Sequence, residues 1–147
     1  EHVAACIRVT GDPCEAAGKV ESLGKISAEG KDKWVTLLRT AKRAHNIVKS
    51  EKNLPPLDPG AFEQDEEREL YKAFENWRAH VSALPERKYT ERLRTILQMA
   101  DPLHRFFEKV FVMVEDVGVR KNRLALILTI STAFRSYAEF DQIAVTD

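Results

Sequence analysis

The chain contains few residues of the types that interrupt helices or build disulfide frameworks. Among 147 residues there are six glycines, six prolines and two cysteines. The glycines and prolines fall mostly between apolar-periodic segments, so long helical patterns remain uninterrupted. Cys6 and Cys14 are close enough in sequence for a disulfide. However, a single cysteine pair in a lysine-rich helical chain favours reduced thiols in small buried or half-buried positions of an intracellular protein.

Long apolar runs and net charge are also lacking. No apolar run approaches the roughly 18–20 residues of a membrane span. The formal net charge is zero, from 23 basic and 23 acidic residues, which is unusual for an autonomous nucleic-acid-binding domain. The chain begins at Glu1 without a methionine or a targeting segment, and we therefore expect it to be a fragment of a longer chain.

The balanced charges are unevenly distributed along the sequence. Residues 31–52 carry seven basic side chains against two acidic ones, and residues 63–69 carry five acidic side chains against one basic one. Such segregation produces local electrostatic fields without a global one. Solvated helix faces would explain the same pattern. For the acidic run, placement at the positive end of a helix dipole is favoured over a metal site.

Catalytic motifs are missing from the sequence. We find no HExxH zinc motif, glycine-rich phosphate loop or nucleophile elbow. His104 and Glu108 lie four positions apart and share a helix face, but the same step places His104 beside the core of Phe106 and Phe107, and we expect no metal there. The inward Glu-x-x-His pairs of di-iron bundles are absent as well. The chain itself is thus predicted to be non-catalytic and to hold no cofactor.

Apolar periodicity predicts the fold class. Apolar residues recur at spacings of three and four, and no segment alternates with period two between hairpin turns. We predict an all-α, single-domain bundle of about six to seven helices covering residues 1–147. The predicted helices lie at about 1–9, 13–25, 29–49, 63–84 and 102–114. Another lies between Pro85 and Asp101 and carries Tyr89 and Met99, and the last starts near Val119.

The predicted helix at 29–49 combines an apolar stripe with a basic edge. Arg39, Lys42, Arg43 and Asn46 follow the three-and-four rule and therefore share one side of the helix. A basic edge that also carries an amide suits contacts with phosphates and bases. It equally suits a surface whose only role is solubility.

Residues 101–140 are predicted to form two helices joined by a sharp turn. Asp101 is predicted to cap the first helix, with Pro102 at its first position, and its apolar face is predicted to continue to Phe111. Just after the turn comes a cluster of cationic and amide side chains at the start of an otherwise apolar helix: Arg120, Lys121, Asn122 and Arg123. Packing alone does not readily explain this cluster.

Residues 101–140 resemble the C-terminal end of the β subunit, or β region, of bacterial and organellar glycyl-tRNA synthetase. That family's end typically has a phenylalanine pair, an apolar run, an acidic corner and an R-x-NRLALL segment. The matching residues are Phe106, Phe107, Val110, Val112, Met113, Glu115, Asp116, Arg120, Asn122, Arg123, Leu124 and Ala125. Upstream, the family's NKR-x-x-NIL helix and the segment after it are matched by Lys42, Arg43, Asn46, Ile47, Val48, Asp58, Pro59 and Phe62. The resemblance is weakest in the first thirty residues.

The resemblance implies a helical anticodon-binding domain of the DALR-like type. Such a domain would grip the anticodon stem-loop of glycine tRNA, while catalysis with ATP and Mg²⁺ takes place elsewhere in the parent ligase. The implied protein partner is the catalytic α subunit or region. The implied compartment is the bacterial cytoplasm, with chloroplast or mitochondrion as the alternative.

By the same resemblance, Lys42 and Arg43 would contact phosphates, and Asn46 would offer an amide to a base edge or orient its neighbours. Arg120, Lys121, Asn122 and Arg123 would form a second RNA-binding patch that converges with the first into one groove. For Asn122 and Arg123 a structural role is equally open, in which they clamp the helix corner with Glu115 and Asp116.

A helical scaffold that docks protein subunits is the alternative function. Such a scaffold would use the apolar side chains of residues 110–114 and 127–130 as its interface.

Overall fold

The computed structural model describes residues 13–143, with side chains from Ala17 onwards. The described residues form six α-helices and contain no strand, which confirms the predicted all-α class. The helices are α1 (Pro13–Glu29), α2 (Lys31–Val48), α3 (Asp65–Ala83), α4 (Tyr89–Ile96), α5 (Ala100–Lys109) and α6 (Val117–Arg135). Short 3-10 turns lie at Pro59–Ala61, Leu97–Met99 and Phe140–Gln142. The predicted helix at 1–9, Cys6 and the side chain of Cys14 lie outside the described part.

Helix α2 lies at the centre of the bundle. Its predicted apolar stripe is buried at Trp34, Leu37, Leu38, Ala41, Ala44 and Val48. The helix packs against α1, α5, α6 and the Phe140–Gln142 turn. Because the stripe covers only one side, the opposite side of α2 is left to solvent.

Helix α3 begins at the acidic run, as predicted. Asp65, Glu66 and Glu67 occupy its first turn, where carboxylates are stabilised by the helix dipole. Glu67 also reaches back to accept a hydrogen bond from the backbone N–H of Gln64 at 2.8 Å. The run thus contributes to the start of the helix, and one of its carboxylates is buried.

Helix α5 departs from the prediction at both ends. It starts at Ala100, so Asp101 lies inside the first turn and is not the cap. It ends at Lys109, and Val110 is already extended, with φ −100° and ψ 122°. Residues 110–114 are therefore irregular, and the prediction that Phe111 belongs to a buried helix face is wrong, since Phe111 is 72% exposed. Three β-branched valines in five positions favour the extended backbone over a further helical turn.

One apolar cluster draws buried side chains from all six helices. Aromatic rings connect its parts edge to face: Trp77 of α3 lies 5.7 Å from Phe134 of α6, and Phe140 lies 6.2 Å from Phe134 and 6.1 Å from Trp34. The indole N–H of Trp77 donates to Thr95 Oγ1 at 2.9 Å, so its polar atom is satisfied inside the core. Among residues 13–143, no helix combines the length and hydrophobicity that a membrane span requires.

Candidate nucleic-acid interface

The predicted basic edge of α2 is exposed along its whole length. Arg39, Lys42, Arg43 and Asn46 are all exposed, on the side opposite the buried stripe. At 1.5 Å rise per residue they span roughly 10 Å. Asn46 Oδ1 accepts a hydrogen bond from Lys49 Nζ at 3.3 Å, which adds a further cation at the end of the edge.

Arg43 is held against the neighbouring helix. The centre of its guanidinium lies 4.7 Å from the ring centroid of Phe107 in α5. Arginine stacks well on aromatic faces, and this limits the conformations that its side chain samples. The ring thus orients an exposed cation where α2 meets α5.

The four predicted residues at the start of α6 separate into two pairs. Lys121 is exposed and Arg120 is half-buried, and Arg120 Nη1 donates to the carbonyl oxygen of Val114 at 2.9 Å. Asn122 and Arg123 are 7% and 3% exposed. The first pair is accessible to a ligand, and the second pair is part of the protein interior.

Arg123 forms a buried ion pair with α3. Its Nε and Nη2 donate to the two carboxylate oxygens of Glu67 at 3.1 and 3.3 Å, and its Nη1 donates to the carbonyl oxygen of Phe111 at 2.8 Å. Glu67 is 1% exposed. Two charges buried at this depth are tolerated because each is paired and hydrogen-bonded.

Asn122 anchors the segment between α2 and α3. Its Oδ1 accepts from the backbone N–H of Asp58 at 2.9 Å, and its Nδ2 donates to the carbonyl oxygen of the same residue at 2.8 Å. The side chain of Asp58 in turn accepts from the N–H of Gly60 at 2.9 Å and starts the 3-10 turn. One amide side chain thus satisfies both backbone groups of a loop residue.

These contacts correct the expectation that Asn122 and Arg123 bind RNA. Both side chains are sequestered by protein groups, so we remove them from the candidate interface. The structural alternative is the arrangement found, although its partners are Asp58 and Glu67, not the predicted acidic corner. Of that corner, Asp116 caps α6 by accepting from the N–H of Val119 at 3.0 Å.

Sequence reasoning missed the exposure of Phe111 and Met113, which are 72% and 58% exposed. The signal was present in residues 110–114, which read Val-Phe-Val-Met-Val. Val110 and Val112 are buried, so the segment alternates inward and outward with the period of an extended chain. Of the predicted scaffold interface, only Phe111 and Met113 remain exposed, because Ile127 and Ile130 are fully buried.

The remaining titratable groups of residues 17–143 form no metal site. His104 and Glu108 form an exposed pair at 3.3 Å, and the described residues contain no cluster of three metal-ligating side chains. Burial raises the pKa of Tyr137, opposed by its hydrogen bond and charge interaction with Arg92. Arg92 Nε donates to this phenol at 2.8 Å, and the contact connects α4 to the segment that follows α6.

Exposed cations and an amide on one helix of an all-α fold define a helical domain suited to binding an anion. The chain belongs to the DALR anticodon binding domain family, whose model matches residues 37–140. The matched segment contains the whole exposed edge of α2 and the start of α6.

The chain is also similar to several glycine–tRNA ligase beta subunits. It is 35% identical to that of Geotalea daltonii over 130 residues, which are 88% of this chain and 18% of the relative. It is 36% identical to that of Citrifermentans bemidjiense over 134 residues, 90% of this chain and 19% of the relative. It is 31% identical to that of Streptococcus uberis over 116 residues, 79% of this chain and 16% of the relative.

The chain therefore spans a fifth or less of the length of the relatives it matches. These matches confirm the resemblance to the glycyl-tRNA synthetase β subunit inferred from the sequence.

Proposed function

We propose that this chain is the part of a glycine–tRNA ligase β subunit that binds the anticodon stem-loop of glycine tRNA. The observation that carries the proposal is the exposed edge of α2, which lies within the segment matched by the anticodon-binding family. Arg39, Lys42, Arg43 and Asn46 form this edge, which we call the α2 edge.

The chemistry of the α2 edge suits a single-stranded RNA loop. Basic side chains hold the phosphate backbone, and amides read the edges of unstacked bases. In this proposal Arg39, Lys42 and Arg43 contact phosphates and Asn46 contacts a base. Arg120 and Lys121, at the start of α6, form a second accessible cationic site in this proposal.

The reaction itself belongs to other parts of the parent ligase in this proposal. ATP and Mg²⁺ would act there, in the catalytic α subunit or region, which would be the protein partner of this chain. The compartment would be the bacterial cytoplasm, with chloroplast or mitochondrion as the alternative. The chain would supply affinity and selection for the tRNA.

Replacement of Lys42 by alanine tests the proposal. Lys42 is preferred to Arg43 because Arg43 also packs on Phe107, so its loss would alter stability as well as binding. We expect Lys42→Ala to weaken binding to a glycine tRNA anticodon stem-loop. We also expect the slope of log K against log salt concentration to become shallower by about 0.7 to 0.9 for the lost phosphate contact.

Fluorescence anisotropy at several salt concentrations measures both quantities. Lys72→Ala, at an exposed lysine of α3, is the matched control and is expected to bind like the unmodified chain. Equal affinity and equal slope for the Lys42 variant and the unmodified chain would contradict the assignment of the α2 edge.

A further inference from the structure

The exposed large apolar side chains of the described residues are concentrated in one short stretch. They are Phe111, Met113 and Val117, at 72%, 58% and 50% exposure. Single exposed apolar residues are ordinary on a protein surface. A phenylalanine projecting almost fully into solvent beside a methionine of the same loop is less common, and it lies outside the α2 edge.

The backbone that carries Phe111 is fixed on both sides. Arg123 Nη1 holds the carbonyl oxygen of Phe111 at 2.8 Å, and Arg120 Nη1 holds that of Val114 at 2.9 Å. Val110 and Val112 are buried on either side of it. Arg123 is itself locked by Glu67. A buried ion pair thus positions a loop from which the side chain of Phe111 projects into solvent.

Residues 110–116 between α5 and α6, which we call the Phe111 loop, are connected to the α2 edge through α5. Arg43 of that edge lies over the ring of Phe107, four residues before Phe111. Four residues of chain reach at most roughly 14 Å, which is comparable to the length of the α2 edge. The backbone of Phe111 therefore lies within roughly 14 Å of the backbone of Phe107, the residue on which Arg43 of the α2 edge stacks.

Charged groups of both signs surround the loop, and its cations are available for phosphate contacts. Lys109 and Lys121 are exposed on its two sides and Arg120 is half-exposed. Among the acids, Glu108 pairs with His104 at 3.3 Å and Asp116 is engaged in capping α6, while Glu115 is exposed.

We propose that Phe111 is a stacking surface for an unpaired base of the anticodon loop, with Met113 as its apolar neighbour. The inference rests on the proposed function and adds a base-contacting residue to it. Single-stranded RNA bases stack readily on aromatic side chains. RNA is preferred to a protein partner because the loop lies within residues 37–140, the segment matched by the anticodon-binding family.

The test is a titration of the chain with a glycine tRNA anticodon stem-loop that carries 2-aminopurine in the loop. Fluorescence of this base reports stacking directly. We expect Phe111→Ala to weaken binding by roughly 5- to 150-fold. We also expect this variant to remove the quenching of 2-aminopurine fluorescence that stacking on Phe111 causes. The slope of log K against log salt is expected to stay unchanged, because no phosphate contact is lost.

Three further variants make the result specific. Phe111→Trp keeps a ring and is expected to retain affinity, whereas Phe111→Leu keeps an apolar side chain without a ring and is expected to lose it. Lys72→Ala, at the exposed lysine of α3 outside this patch, is the control and is expected to stay within about twofold of the unmodified chain. Circular dichroism checks that each variant remains helical.

Several results would overturn the inference. Normal binding by Phe111→Ala, with weakened binding by Lys42→Ala, rejects the stacking role and leaves the proposed function intact. Normal binding by Phe111→Leu shows that no ring is required. If Phe111→Ala loses binding to the catalytic subunit but binds RNA normally, the loop is a protein-docking surface and not a stacking surface for RNA. If the unmodified chain does not bind the stem-loop, the proposed function and this inference both fail.

Discussion

Arg123 uses its guanidinium entirely within the protein. Two of its nitrogens contact Glu67 of α3, and the third holds the Phe111 carbonyl that precedes α6. Glu67 Oε2 also accepts from the backbone N–H groups of Glu63 and Gln64 at 3.1 and 2.8 Å. One ion pair therefore fixes the start of α3, the Phe111 loop and the first turns of α6 relative to one another.

Arg123→Ala tests the importance of this ion pair for stability. The substitution leaves Glu67 buried without its counter-charge, and we expect the free energy of unfolding to fall by about 3–5 kcal/mol. Urea denaturation followed by circular dichroism measures the change. Lys121→Ala, two positions earlier and exposed, is the control and should change stability by less than about 0.5 kcal/mol. A loss below about 1 kcal/mol for Arg123→Ala would contradict the assignment.

At the scale of single residues, the sequence predicts which side chains of α2 are exposed, but it does not predict which side chains are exposed at the start of α6. The three-and-four spacing of α2 separates its buried stripe from Lys42 and Arg43, and the structure has both where expected. Arg120 and Arg123 look alike in the sequence. Which of them is buried depends on Glu67, 56 positions from Arg123, and local periodicity contains no information on that pairing.

Two glycines of α1 differ in their surroundings. A Cβ on Gly18 would lie 2.7 Å from the ring of Tyr89, at the first residue of α4, whereas a Cβ on Gly24 would meet nothing within 4 Å. Close to Gly18, the hydroxyl groups of Ser22 and Thr90 share a hydrogen bond of 3.0 Å. Gly18 therefore permits the close approach of α1 and α4, and Gly24 has no such role.

The two glycine-to-alanine substitutions should change stability in opposite directions. Gly24→Ala should stabilise the protein by about 0.5–1 kcal/mol, because alanine has the higher helix propensity. Gly18→Ala forces the ring of Tyr89 to move and should destabilise it by about 1–3 kcal/mol. Thermal or urea unfolding of the two variants in parallel measures this. Equal shifts of the same sign would show that α1 and α4 do not pack as described.

The sequence predicts the end of a helix well where the residues at that end fit only one secondary-structure pattern. The bounds of α2 and α3 agree with the predicted ones to within two residues, because an apolar stripe ends at each side of both helices. The end of α5 was wrong because residues 110–114 satisfy two patterns, a continued apolar helix face and an alternating extended chain. Hydrogen bonds from Arg120 and Arg123 to this segment favour the second.

At the scale of the whole molecule, zero net charge and a cationic surface coexist. The basic residues of α2 and the acidic residues at the start of α3 lie on different helices, and one of the acidic residues neutralises Arg123 inside the protein. With no net charge, long-range attraction of RNA is weak. We therefore expect selectivity to come from the α2 edge and the Phe111 loop at short range.

The most direct test of this account compares two RNAs that differ only in the anticodon loop. One is a glycine tRNA transcript, and the other is the same transcript with its anticodon bases replaced. The account predicts at least roughly tenfold tighter binding of the intact tRNA at a fixed salt concentration, corresponding to about 1.4 kcal/mol. Equal affinities for the two transcripts would contradict anticodon recognition by this chain.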